Sequence, residues 1–133
     1  KKSGSFGGIA TFSFYATKNI TSGEGGIVTT NNKAYAENAK LFRQHGRSNI
    51  NAYDYESLGF NYRMTDISAA MLLEQLKKID FITKKRIENA DYLSKELGRI
   101  KGIKVPVVKK GNKHVFHQFC LQSCSSCSTY YSI

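Results

Sequence analysis

The sequence has no tryptophan, a single proline and only 10 acidic residues against 20 basic ones. It also lacks an apolar run of 18 residues, so no segment reads as a membrane-spanning helix. The first residues, Lys1 to Phe6, hold no apolar signal-peptide core and do not begin with Met. Cysteine is scarce and late: Cys120, Cys124 and Cys127 all fall in the last fourteen residues. An odd number in that position does not suggest a disulfide framework. Cys-x3-Cys-x2-Cys is a spacing used for iron–sulfur clusters, but only six residues follow Cys127, and no metal site is expected. What is present in quantity is apolar sequence, 41% of 133 residues, which excludes a disordered tail and suffices for a core.

The net charge of +10 is compatible with a nucleic acid, an anionic membrane or a phosphorylated ligand. Its distribution discriminates. Lys77-Lys78, Lys84-Lys85-Arg86 and Lys109-Lys110 are the local runs, and none forms the longer basic block of a nucleic-acid arm. Glu74, Asp80, Glu88 and Asp91 interleave with the first two, as on a solvated helix face. We therefore expect neither a nucleic-acid nor a membrane partner.

Ile9–Tyr15 alternates aromatic and small residues and predicts a strand; Gly26–Thr30 predicts a second, across a Gly-rich connection that ends Gly23-Glu24-Gly25-Gly26. Asn31-Asn32 supplies an N-cap for a helix from about Lys33 to His45, with Gly46 as its stop. Residues 47–64 have no period and are dense in Asn, Tyr and Arg (Asn49, Asn51, Tyr53, Tyr55, Asn61, Tyr62, Arg63), a composition often functional in a long loop. Thr65 or Asp66 caps a long helical pattern through Ala70, Leu73, Leu76, Ile79, Ile82, Ile87, Ala90, Leu93, Leu97 and Ile100, broken near Asp80. Short strands are expected at Ile103–Pro106 and His114–Leu121. From Cys120 to Ile133 the composition changes: no charge, and five serines.

Lys18 is the first candidate for chemistry, a lysine between an aromatic strand and a Gly-rich turn. Imine formation needs a neutral amine, hence burial and nearby positive charge. Ser13, five positions earlier, offers a hydroxyl to a phosphate. By spacing alone an ordinary surface lysine is the default.

The surrounding words carry more. Phe12-Ser13-Phe14-Tyr15-Ala16-Thr17-Lys18-Asn19-Ile20-Thr21, followed by Gly23-Glu24-Gly25-Gly26-Ile27-Val28-Thr29-Thr30, resembles the DegT/DnrJ/EryC1/StrS family of pyridoxal-phosphate-dependent aminotransferases acting on nucleotide-linked sugars. Arg43-Gln44-His45-Gly46, Leu58-Gly59-Phe60-Asn61-Tyr62-Arg63-Met64-Thr65-Asp66 and His114-Val115-Phe116-His117 resemble three further motifs, in the family's order. The resemblance runs from about Ser3 to Phe119.

It implies an α/β fold, part of the type I pyridoxal-phosphate-dependent transferase (aspartate aminotransferase-like) architecture. Residues 1–78 would be the end of the large cofactor-binding domain, 79–119 the start of the small C-terminal domain, and 120–133 an atypical tail that reads as non-native. It implies that Lys18 is the Schiff-base lysine, that Ser13 binds the cofactor phosphate and that Asn61 reaches the phosphate of the neighbouring subunit. Tyr62 and Arg63 line the same shared site, and His45, His114 and His117 are candidate substrate contacts, each with a packed or surface imidazole as the plainer reading. Related dehydratases carry His where Lys18 stands, so the lysine argues for transamination. Glu24 fixes its loop, and Phe12, Phe14 and Phe60 belong to the core. The family's pyridine-binding aspartate and ring-stacking residue lie upstream of this segment, so the chain is expected to be the middle of a longer protein, inactive alone, with apolar helix surface exposed unless a second chain covers it. The implied setting is a cytoplasmic homodimer that uses a nucleotide-sugar substrate and an amino-acid donor, glutamate. Two other classes stay open: a non-catalytic dimerisation or regulatory remnant of such an enzyme, and a basic nucleic-acid-binding module.

Overall fold

Two compact units, Lys1–Leu76 and Lys77–Ile133, make up the chain. The computed structural model describes residues 1–47, 53–123 and 130–132. Asn49, Asn51, Cys124 and Cys127 lie outside the described residues.

In the first unit, β1 (Ala10–Ser13) pairs antiparallel with β2 (Gly26–Thr29), Ala10 facing Thr29 and Ser13 facing Gly26. The strands are shorter than the apolar alternation predicts because the chain turns at once after Ser13. The connection between them is ordered by its own polar groups. Phe14 N–H donates to Gly25 O at 2.8 Å, and Phe14 O accepts from Ser22 N–H and from the Thr21 hydroxyl, both at 3.0 Å. Phe14, Ile20 and Ser22 are buried beneath it.

Helix α1 (Lys33–Arg43) begins where Asn32 Oδ1 accepts the Ala34 and Tyr35 N–H groups, at 2.9 and 3.2 Å. That is the N-cap geometry that satisfies amides with no intrahelical partner. Its C-terminus turns through His45 (φ 62) and Gly46 (φ 72). Two consecutive left-handed residues reverse the chain, and Gly46 N–H returns to Leu41 O at 2.7 Å. The aperiodic stretch beyond is not structureless. Gln44 bridges Asn61 and Arg47 bridges Tyr55, both antiparallel. Helix α2 (Asp66–Leu76) starts with Thr65 Oγ1 accepting Ser68 N–H at 3.2 Å.

The long helical pattern breaks after Leu76, slightly before the expected point at Asp80. Helix α3 (Ile79–Leu97) belongs to the second unit. Its inner face meets a three-stranded antiparallel sheet of order β3 (Ile103–Lys104), β4 (Cys120–Ser123) and β5 (Tyr130–Ser132). Ala90, Phe116, Phe119 and Leu121 form the core there, with Ile87, Leu93, Leu97, Ile103 and Val105 packed around it. On the outer face Glu88 receives Lys85 at 2.7 Å and Lys84 at 3.9 Å, the interleaved charge face read from the sequence. Among the described residues no helix is long and apolar enough to cross a membrane.

Two expectations are corrected. His114–Phe119 is not a strand; Phe116 has φ 44, which breaks an extended run, and β4 starts only at Cys120. Of the three aromatics assigned to the core only Phe14 is buried; Phe12 is 40% and Phe60 41% exposed, and Phe60 stacks on Tyr62 instead. From Cys120 on, β4 and β5 pair antiparallel within one sheet.

Candidate functional site

Ser13 and Lys18 flank the tight turn that leaves β1. Lys18 N–H donates to Tyr15 O at 2.9 Å, closing the turn, and Tyr15 N–H donates to Ser13 Oγ at 3.3 Å. Because that oxygen is engaged as an acceptor, the Ser13 hydroxyl hydrogen is left to donate outward. Ser13 is exposed and Lys18 half-buried. One ordered loop thus offers a hydroxyl donor and a primary amine, which suits a ligand with an anionic end and a carbonyl.

The Gly-rich turn that closes this loop is shaped by contact. Gly25, at φ 147, lies so close to Met64 and Ser22 that a Cβ would come within 2.6 Å of Met64 Cε and 2.8 Å of Ser22 Oγ. The Ser22 hydroxyl donates to Glu24 O at 2.8 Å. Glu24, Gly25, Gly26, Tyr62, Arg63 and Ser68 line one cavity of about 300 Å³. The loop of the lysine and the Asn-Tyr-Arg-Met segment therefore meet, and Tyr62 and Arg63 share a wall with the Gly-rich turn.

Sequence-distant backbone holds that segment. Phe60 N–H donates to Phe42 O at 2.7 Å, Tyr62 N–H to Arg43 O at 3.1 Å, and His45 N–H to Phe60 O at 2.9 Å. Arg63 Nη1 donates to Gln44 Oε1 at 2.8 Å. Phe42, Phe60 and Tyr62 form an aromatic trio, with Phe60 and Tyr62 stacked at 5.2 Å and 15°. Asn61 is exposed between them, its backbone bridged to Gln44. His45 is half-buried in the left-handed turn after α1. A second, larger cavity of about 570 Å³ lies against β2 and α1, with Phe42, Arg43 and Tyr62 on its wall.

His114 and His117 belong to the second unit. His114 is exposed, and its Nδ1 accepts the Phe116 N–H at 3.0 Å with the two rings edge to face at 4.5 Å. Arg86, a residue the sequence reading left on a solvated face, is half-buried and donates to Phe116 O at 3.1 Å and to His117 O at 3.4 Å. Local pattern could not reveal it, because its partners lie about thirty residues further on.

The model of the DegT/DnrJ/EryC1/StrS aminotransferase family matches residues 1–131. GDP-perosamine synthase of Caulobacter vibrioides is 38% identical over 130 residues, which are 97% of this chain and 35% of the relative. Among solved structures, Helicobacter pylori PseC, an aminotransferase involved in the biosynthesis of pseudoaminic acid, superposes with a TM-score of 0.83 at 34% identity, over 92% of this chain and 34% of its own. Escherichia coli GDP-4-keto-6-deoxy-D-mannose-3-dehydratase with bound hydrated PLP shares the fold, with a TM-score of 0.83 at 22% identity, over 97% of this chain and 37% of its own. The chain spans about a third of the length of the curated relatives it matches.

Proposed function

The chain belongs to the DegT/DnrJ/EryC1/StrS aminotransferase family, and from that premise we propose that it carries part of the catalytic site of an enzyme that transfers an amino group to a nucleotide-linked keto-sugar. The donor is an amino acid, glutamate. The sites are shared in a homodimer, and the setting is cytoplasmic.

Pyridoxal phosphate is the family's cofactor, and the donor set of the β1–β2 loop fits two of its ends. The Ser13 hydroxyl, already accepting from Tyr15 N–H, has a hydrogen left for a phosphate oxygen. Lys18, on the turn closed onto Tyr15 O, supplies the amine for the carbonyl carbon. Asn61, exposed on its segment, would reach the phosphate in the partner subunit, with Tyr62 and Arg63 beside it. When bound, the cofactor supplies an electron sink that lets a proton leave the substrate carbon bearing the amine. The chain's own residues do the rest. Ser13 would fix the phosphate end, and Lys18 Nζ would hold the carbonyl end. The Lys18 amine would also be the group placed to carry a proton at the substrate Cα. His45, His114 and His117 contact the substrate.

The observation that carries this reading is a half-buried lysine closing an ordered turn, five residues after an exposed serine whose hydroxyl is available to donate. A lysine rather than a histidine at that place supports transamination over dehydration. Borohydride reduction of the protein that carries this chain, in the presence of pyridoxal phosphate, should leave the reduced cofactor on the Lys18 peptide in mass spectra. Its appearance on a different lysine would end the assignment.

A further inference from the structure

The second unit holds a turn at 114–117 that is restrained by the core, by Arg86 and by the His114 imidazole. Phe116 sits at φ 44, a left-handed conformation that a bulky residue occupies only when its surroundings impose it. Three groups impose it. The Phe116 ring is buried in the core beside Ala90 and Phe119. The Arg86 guanidinium, from helix α3, donates through Nη1 to two successive carbonyls, Phe116 O at 3.1 Å and His117 O at 3.4 Å. The Phe116 amide donates back to His114 Nδ1 at 3.0 Å.

That last bond has a chemical consequence. A backbone amide only donates, so Nδ1 must present a lone pair, and the proton of neutral His114 is confined to Nε2. No carboxylate among the described residues pairs with Arg86, whose hydrogen bonds there are the two carbonyls.

We propose that Arg86 is a positioning residue: by clamping the carbonyls of Phe116 and His117 it holds the 114–117 turn so that exposed His114 is locked as an Nε2–H donor for an oxygen acceptor of the substrate. The substrate clause rests on the function proposed above; the tautomer clause does not. The acceptor is an oxygen of the sugar nucleotide or of the amino donor's carboxylate, the chemistry being the same for both.

The test is nitrogen-15 NMR of the protein that carries this chain, loaded with pyridoxal phosphate, at mildly alkaline pH where free imidazoles are neutral. Native His114 should show the Nε2–H tautomer, and Phe116 N–H should exchange slowly. Arg86→Met should yield mixed tautomers, whereas Arg86→Lys, which keeps a donor for one carbonyl, should retain the native one. Cofactor absorbance should be unchanged in both. The KM of one substrate should rise about tenfold in Arg86→Met, the loss of one hydrogen bond, with kcat little changed; which KM rises identifies the acceptor. Mixed tautomers in the native protein overturn the proposal, as do an unchanged tautomer or two unchanged KM values in Arg86→Met. If Arg86→Met does not fold, the native tautomer and the Phe116 exchange rate still decide. A protein that binds no cofactor at Lys18 would sink the proposed function while leaving the tautomer measurement intact.

Discussion

Ser13 and Gly26 face each other across the β1–β2 pair, and Gly26 has no room for a side chain: a Cβ there would lie 2.9 Å from Phe12 O. The hydroxyl proposed to bind phosphate is therefore positioned by a strand partner that must be glycine. Gly26→Val should force the strands apart and displace Ser13. Cofactor affinity should fall with little change in helix content by circular dichroism. Undiminished affinity would show that the pairing does not position Ser13.

Ser13→Ala removes the donor itself. A hydrogen bond to a charged group contributes about 1.5–3 kcal/mol, so the cofactor dissociation constant should rise roughly 10- to 100-fold. Equilibrium dialysis against pyridoxal phosphate measures it, with Thr17→Ala as a neighbouring comparison.

Two glycines with the same left-handed backbone should respond differently to alanine. Gly46 (φ 72) lies against the carbonyl of Ser57, so an added Cβ would collide with backbone, while Gly23 (φ 80) has open space. Gly23→Ala should cost only the conformational penalty, about 1–2 kcal/mol. Gly46→Ala should cost clearly more and disturb the 42–46 to 57–62 pairing. Urea unfolding midpoints decide; equal losses would contradict the close approach.

Asn32→Ala should destabilise the first unit by about 1 kcal/mol, because the Ala34 and Tyr35 amides both lose their acceptor. Asn32→Asp should retain most of the stability, as aspartate caps equally well. A thermal melt in which both variants match the native protein would remove the cap's role.

Glu88 is held below the ordinary glutamate value of 4.5, first by the hydrogen bond from Lys85 and then by the charges of Lys85 and Lys84, with desolvation opposing them. A carboxyl depressed in the folded state stabilises above its unfolded pKa, and that contribution is lost as pH falls through the folded value. Acidification below about pH 4.5 should therefore release it. An NMR titration of the Glu88 carboxyl should show a midpoint that moves back up in Lys85→Ala; an unmoved midpoint would show that Lys85 is not the cause.

Local chemistry made much of this legible. Asn32, the apolar steps of α1 and α3 and the Gly-rich turn each state their role within a few residues, and the structure agrees on them. The break in the long helix fell only a few residues from its predicted place. The misreadings share a cause. His114–Leu121 alternates as a strand would, but Arg86 and the core bend Phe116 out of the extended region from thirty residues away. Phe60 reads as core by type, yet its place is set by stacking on Tyr62 and by backbone bonds to Phe42. The Asn-Tyr-Arg segment is ordered by partners in and just after α1, which no local period encodes.

Phe14 is tied through both its amide and its carbonyl, the first to Gly25 and the second to Thr21 and Ser22. The strand end next to Lys18 is thereby pinned, and one short turn, closed by Lys18 N–H on Tyr15 O, carries the lysine. A group carried on so ordered a backbone has part of its alignment entropy already spent in folding. The alignment of Lys18 in its proposed role is in this sense prepared by the backbone of Phe14.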